Sequence, residues 1–382
     1  MISFSLTDEQ KDLQKLARDF AQNEIAPIAP QLDRTGEYPH AILKQAHRLG
    51  LLNLTIEDAY GGGGLGWLES CLVGEEFAAA CAGVTTAANA NELALTPIEL
   101  AASEEQKKKF ISPIARDGGL AAFCVTEPGA GSDVASMRTR AVKRGDEYIL
   151  NGTKHFITNG DVAQLLTVFA STDPEKKHRG ISAFAVPADL PGITRRHMGE
   201  KMGHRASDTA EIVFEDAHVP AANLLSKEGE GFKIAMETFD RTRVGIGAAG
   251  VGVARAAMEA AIKFAKERQQ FAQPISNFQG VQFMFADMAI KIETARLAVW
   301  HAAWLTDEKL PYSYASAIAK AYGSDVAMQV TTDAVQLLGG YGYMADYKVE
   351  KYMRDAKLLQ IYEGTNQIQR VVIAKAILKD LR

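Results

Sequence analysis

Residues 120–133 read Leu-Ala-Ala-Phe-Cys-Val-Thr-Glu-Pro-Gly-Ala-Gly-Ser-Asp, and the fold turns on them. Before this point apolar residues recur at helical spacing. Here they form a short continuous run, Leu120 to Val125, which ends on Pro128, Gly129 and Gly131, the punctuation of a strand entering a loop. More short runs rich in Val, Ile, Phe and Thr follow at 137–143, 164–170, 181–186 and 211–214, separated by Gly, Pro and Asp. Among them, Tyr148-Ile149-Leu150, Asn151-Gly152 and Lys154-His155-Phe156-Ile157 predict a hairpin, because Asn-Gly accepts the positive φ angles of a type I′ turn. The centre of the chain therefore reads as a β-domain.

Both flanks read as helical. Thr7-Asp8-Glu9-Gln10 is a capping box, and Leu13, Leu16, Ala17, Phe20, Ala21 and Ile25 repeat at helical spacing until Pro27. Helical patterns continue at 40–50, 68–82 and 88–101, and Ser103-Glu104-Glu105-Gln106 caps another reaching Arg116. After about Ser226, long helices are expected at 230–269, 278–306, 312–338 and 365–380. The expected organisation is α+β and multidomain: an N-terminal α-helical domain (1–119), a middle β-barrel-like domain (120–226) and a C-terminal helical bundle (227–382).

Composition narrows the function class. A chain of 382 residues is too long for one ordinary core. Its residues are 47% hydrophobic, yet no window of about eighteen lacks charge, so interior helices are expected instead of a membrane span. Cys71, Cys81 and Cys124 are too few for a disulfide frame, no Cys/His spacing suggests a metal, and Met1-Ile2-Ser3-Phe4-Ser5 has no leader character; a cytoplasmic location is expected. The net charge of −5 offers no field for nucleic acid.

Two Gly-x-Gly-x-x-Gly runs, at Gly61, Gly63 and Gly66 and at Gly245, Gly247 and Gly250, lack the setting a dinucleotide site requires, a strand ending at the first Gly and a helix opening at the last; the first sits between helices. The second lies inside a small-residue helix, where glycines let helices approach. NAD(P) is not implied.

Five segments carry chemistry. The loop Thr126 to Asp133 can present backbone N–H groups, and Phe156-Ile157-Thr158-Asn159-Gly160 adds an aromatic face and a hydroxyl. Arg268-Gln269-Gln270-Phe271, with Gln279 beyond it, closes a long helix. Gln336-Leu337-Leu338-Gly339-Gly340-Tyr341-Gly342 ends another. Ile361-Tyr362-Glu363-Gly364-Thr365-Asn366-Gln367 places one carboxylate in an otherwise uncharged turn. Each has an ordinary structural explanation when taken alone. Taken together and in this order, the strings Cys-Val-Thr-Glu-Pro-Gly-Ala-Gly-Ser-Asp, Asn-Gly-Thr-Lys-His-Phe-Ile-Thr-Asn-Gly, Gln-Leu-Leu-Gly-Gly-Tyr-Gly and Ile-Tyr-Glu-Gly-Thr-Asn-Gln-Ile-Gln-Arg closely resemble the acyl-CoA dehydrogenase family over nearly the whole chain.

The resemblance implies FAD as cofactor and α,β-dehydrogenation of a short- to medium-chain acyl-CoA, as in fatty acid β-oxidation. Glu363 would take the α-proton and flavin N5 the β-hydride. On the flavin it implies Phe123, Val125, Thr126, Gly131, Ser132, Phe156 and Thr158. On the cofactor of a neighbouring subunit it implies Arg268, Phe271, Gln279, Gln336, Gly339 and Gly340, with Thr365 and Gln367 approaching from the base loop. On the substrate it implies Ser132, Asp240, Arg243, Tyr362 and Gly364. It further implies a homotetramer and an electron-transfer flavoprotein partner. Some relatives carry the base near Thr242, where this chain has Thr between Arg241 and Arg243. The region 85–93, with Asn89 and Glu92, resembles the far end of the acyl pocket. Alternatives on the same fold are an oxygen-using oxidase or monooxygenase, and a CoA-binding protein without redox chemistry.

Overall fold

The computed structural model describes residues 5–380; the expectation about Met1 to Phe4 lies outside them. Helices α1 (Asp8–Phe20), α2 (Ala29–Thr35), α3 (His40–Arg48), α4 (Trp67–Ala101), α5 (Glu104–Phe110) and α6 (Ser112–Ala115) form the first unit. The capping boxes at Thr7/Gln10 and Ser103/Gln106 are both formed, each side chain satisfying the other residue's amide.

A break divides α4. Cys81 has extended angles (φ −162°, ψ 109°), and the two arms fold back on each other. Ser70 Oγ donates to Glu92 Oε2 at 2.8 Å, whereas a straight helix would hold those residues about 33 Å apart. The segment passes the length and hydropathy test for a membrane span, as does α7 (Gly231–Glu267), yet 89% and 67% of their apolar windows are buried inside the fold.

The strands are β1 (Ala121–Cys124), β2 (Arg140–Arg144), β3 (Glu147–Thr158), β4 (Leu165–Ser171), β5 (Ile181–Pro187), β6 (Ile193–His197), β7 (Thr209–Pro220) and β8 (Leu224–Leu225). They form one eight-stranded sheet in the order β6-β7-β3-β2-β4-β5-β8, with β1 pairing β4 in parallel. The expected Asn151-Gly152 hairpin is absent. β3 runs straight through that dipeptide, and the tight turn lies earlier, at Gly145 between β2 and β3. Asn-Gly instead marks a register shift against β7. Asn151 and Asp216 bond each other there, and a Cβ on Gly152 would meet Thr139 Oγ1 at 2.6 Å.

After α7 come the short hairpin β9 (Gln269–Gln270) and β10 (Gln273–Pro274), then α8 (Gln279–Asp307), α9 (Ser313–Leu338), α10 (Val349–Leu359) and α11 (Asn366–Asp380). Sequence periodicity gives these helices except α10, and it does not give the hairpin. The core of this unit packs α7 against α4, α8 and α9 through alanines, valines and glycines. The glycines at 247, 250 and 252 sit where backbones meet: added Cβ atoms would lie 2.8 Å from Ala319 O, 2.6 Å from Gly323 O and 2.1 Å from Glu75 O. Close approach, not phosphate binding, is what they serve.

Candidate active site

The turn between α10 and α11 carries Glu363 with φ +49°, followed by Gly364 at φ +83°. Two consecutive left-handed residues make a sharp bend that presents the carboxylate sideways. Across it, Thr242 on α7 donates its hydroxyl to Glu363 Oε2 at 2.7 Å. Arg243, 5% exposed, lies beside them and pairs with Asp240 at 2.8 Å. Glu363 keeps a partly exposed surface, but protein surrounds it densely. Loss of water raises its pKa above the ordinary carboxylate value, while the Thr242 bond and the cations Arg243 and Lys320 pull against that rise.

Its neighbour Tyr362 is also fixed. Thr86 Oγ1 lies 3.2 Å from Tyr362 Oη and 2.8 Å from His204 Nδ1, and His204 Nε2 lies 2.9 Å from Asp355 O. Burial keeps the Tyr362 phenol protonated and depresses His204. Asp355 receives the His204 amide and the Lys351 ammonium, so α4, the loop before β7 and α10 all brace the turn.

The β-domain contributes two joined loops, one of which docks on α4. His155 N donates to Thr126 O at 2.9 Å, joining the loop after β1 to the end of β3. Behind them Lys154, fully buried, pairs with Glu127 at 2.8 Å and donates to Val125 O at 3.1 Å. Glu127 also accepts from the amides of Arg138 and Thr139. Burial works against its charge, yet Lys154 and those amides hold its pKa below the usual value. Asn159 donates to Ala87 O at 3.0 Å, one residue from Thr86, which docks the second loop on α4 close to Tyr362.

The expected flavin residues divide by role. Phe123 and Val125 are buried in the core, with Phe123 against Phe169 and Phe239 at 5.0 and 5.4 Å. Thr126, Ser132 and Thr158 have no side-chain hydrogen bond among the described residues, Gly131 has open space around it, and Phe156 is 63% exposed with φ +58°. An outward aromatic ring, unpaired hydroxyls and an uncovered glycine loop suit a planar, hydrogen-bonding group. Thr365 partly serves its own helix, accepting from Ile368 N at 3.2 Å, and Gln367 is exposed.

Arg268, Phe271, Gln279, Gln336, Gly339 and Gly340 form a separate group at the other end of the bundle. Arg268 lies 5.3 Å over the Tyr341 ring, and Phe271 is 88% exposed. Gln336 stands about 24 Å further along α9 than Lys320, so one chain does not bring this group to Glu363. Two contributors, His204 and Lys320, have no sequence signal, while Thr86 and Thr242 lie in stretches that the resemblance marks but for other roles. Among the described residues no cluster of His, Cys, Asp and Glu could hold a metal.

Three family models match the chain consecutively: acyl-CoA dehydrogenase N-terminal domain over 7–118, middle domain over 122–217 and C-terminal domain over 229–378. The mouse short-chain specific acyl-CoA dehydrogenase of mitochondria is 43% identical, covering 100% of this chain and 92% of its own. Butyryl-CoA dehydrogenase from Megasphaera elsdenii superposes with TM-score 0.96 at 44% identity, over 99% and 100% of the two chains. A chain in the structure of the electron transferring flavoprotein of Acidaminococcus fermentans gives TM-score 0.97 at 47% identity, over 99% and 100%.

Proposed function

Since the chain belongs to the acyl-CoA dehydrogenase family, a family of FAD-dependent oxidoreductases, we propose that it dehydrogenates short- to medium-chain acyl-CoA thioesters to trans-2-enoyl-CoA, with Glu363 as the base. The observation that carries this reading is Glu363 itself: one carboxylate on a left-handed bend, bonded to Thr242, with a pKa raised by burial. A base for a weakly acidic α-proton needs that rise, because proton transfer is most effective when the pKa lies near the working pH. Thr126, Ser132, Phe156 and Thr158 would hold FAD from the β-domain side; when bound, it accepts the β-hydride.

The remaining residues bind and orient. A cavity of about 470 Å³ lies just past Ser132, lined by Ser136, Arg138, Arg140, Ser171 and Lys177; its three cations suit the phosphates of a CoA arm. Tyr362 and Gly364 flank the base where the thioester would sit, and Asp240 holds Arg243 beside it. Asn89, one turn beyond Thr86, shares a wall with Gly245, one turn beyond Thr242, and small residues there leave room for a short or medium acyl tail. Four apolar side chains at seven-residue spacing on α8, Phe283, Ile290, Leu297 and Trp304, are exposed and support a homotetramer, for which the cytoplasm is the proposed location. An electron-transfer flavoprotein is the proposed oxidant of the reduced enzyme, supported by the similarity to a chain in such a structure.

The test is anaerobic titration of the FAD-loaded protein with saturated acyl-CoAs of graded length, beside Glu363→Gln. Bleaching by a short or medium chain in the wild type, with binding but no bleaching in the variant, is the expected result. If no thioester bleaches the wild type, the reaction assignment fails.

A further inference from the structure

Lys320 is fully buried in the first third of α9, and no step of the proton or hydride transfer uses it. A lysine in that position costs desolvation and needs partners. Its Nζ donates to Gly364 O at 2.7 Å and to Asn366 Oδ1 at 2.9 Å. Asn366 is held in turn, donating to Ser324 Oγ at 2.9 Å and Asp325 Oδ1 at 2.8 Å. Gln369 adds a second brace, donating to Glu363 O at 3.2 Å and Gly364 O at 2.9 Å.

These bonds all converge on the bend that carries the carboxylate. Glu363 occupies a left-handed conformation that is strained for a residue with a side chain, so something outside the turn must hold it. Neighbouring helices supply that hold through the carbonyls of 363 and 364.

We propose that Lys320 is the positioning residue of the base: its ammonium pins the Gly364 carbonyl and Asn366, and so keeps the Glu363 carboxylate turned toward Thr242. This rests on Glu363 being the base. A second consequence is electrostatic. Glu363 faces Lys320 from α9 and Arg243 from α7, with the neutral phenol of Tyr362 beside it; Arg243 is paired with Asp240, and Lys320 also faces Arg243 and Asp325, which Arg370 holds at 2.7 Å. Burial lowers Lys320 to about 7, against the pull of Glu363. Taking its charge away removes one of the two cations that favour the ionised base.

Lys320→Met and Lys320→Gln, both FAD-loaded, are compared with wild type for FAD content, thermal unfolding, and kcat and KM across pH. Expected for Lys320→Met is retained FAD, kcat lowered by about tenfold or more, KM within about threefold, and the acid limb of kcat/KM moved to higher pH. Lys320→Gln keeps a donor without a charge; it should recover part of kcat while the limb stays displaced. A merely structural lysine would lower the yield of loaded enzyme and leave the limb of what remains unmoved. Wild-type kcat per bound FAD together with an unmoved limb overturns the proposal, and if Lys320→Met does not fold, Lys320→Gln is judged by the same limb. Turnover by Glu363→Gln would instead sink the assignment of the base, which separates the two failures.

Discussion

The Thr242 hydroxyl donates to Glu363 Oε2 at 2.7 Å, joining the first third of α7 to the turn before α11. Thr242 also donates to Thr238 O at 3.1 Å, so one hydroxyl is shared between its own helix and the base. The bond favours the ionised carboxylate and opposes the rise that burial imposes.

Thr242→Val should therefore raise the pKa of the base. The acid limb of kcat/KM moves to higher pH, and at fixed neutral pH activity falls by about tenfold, the scale of one hydrogen bond to a charged group. Initial rates across pH check this; a limb that stays in place means the hydroxyl does not influence the base.

Glu363→Gln carries a stability signature separate from activity. A carboxyl whose folded pKa lies above its unfolded value contributes stability that is complete below the unfolded pKa and is lost as pH rises through the folded one. Wild type at pH 8 bears that cost and the neutral amide does not. Thermal unfolding of FAD-loaded preparations should find the variant the more stable at pH 8, with the gap closing toward pH 4.

The Lys154–Glu127 pair should behave as a buried lock on the loop that ends at Ser132. Glu127→Gln leaves the Lys154 charge without its counterion and should cost about 3–5 kcal/mol. Lys154→Met combined with Glu127→Gln should cost less than either variant alone, because neither charge is then stranded. Denaturant midpoints of the three variants decide it, with equal or additive losses counting against a coupled pair.

How much of this the sequence carried depends on range. The α, β, α order is legible because its signals are local: capping boxes at Thr7 and Ser103, helical spacing, and the strand run into Pro128. Asn151-Gly152 misleads because its turn preference is also local, and pairing of β3 with β7 on both sides of the dipeptide overrides it. Lys320 gives no signal, since a lysine in a helix of small residues reads as solvated until α11 is seen to cover it. Thr242 and Glu363 lie 121 residues apart, and periodicity does not reach across that distance. His204 is silent for the same reason, and Thr86 is marked only as part of the acyl-pocket region: their contacts exist only once three elements meet at Tyr362.

The last prediction concerns the packing that brings α4 and α7 to the base. Gly252 lies against the carbonyl of Glu75, where an added Cβ would fall 2.1 Å from the oxygen. The listener on the other side is backbone, not a side chain that could swing away, so Gly252→Ala must separate the helices. Separation would loosen the Glu75 and Glu76 pairs with Arg255 and shift the α7 register on which Thr242 depends. The expected cost is about 3 kcal/mol, the upper range of an overpacked core, although alanine is the better helix former. Gly280→Ala, with nothing within 4 Å of its added Cβ, should be neutral or mildly stabilising. Chemical denaturation of the two variants tests the contrast, and a Gly252→Ala protein as stable as wild type would mean the α4–α7 contact is softer than this geometry requires.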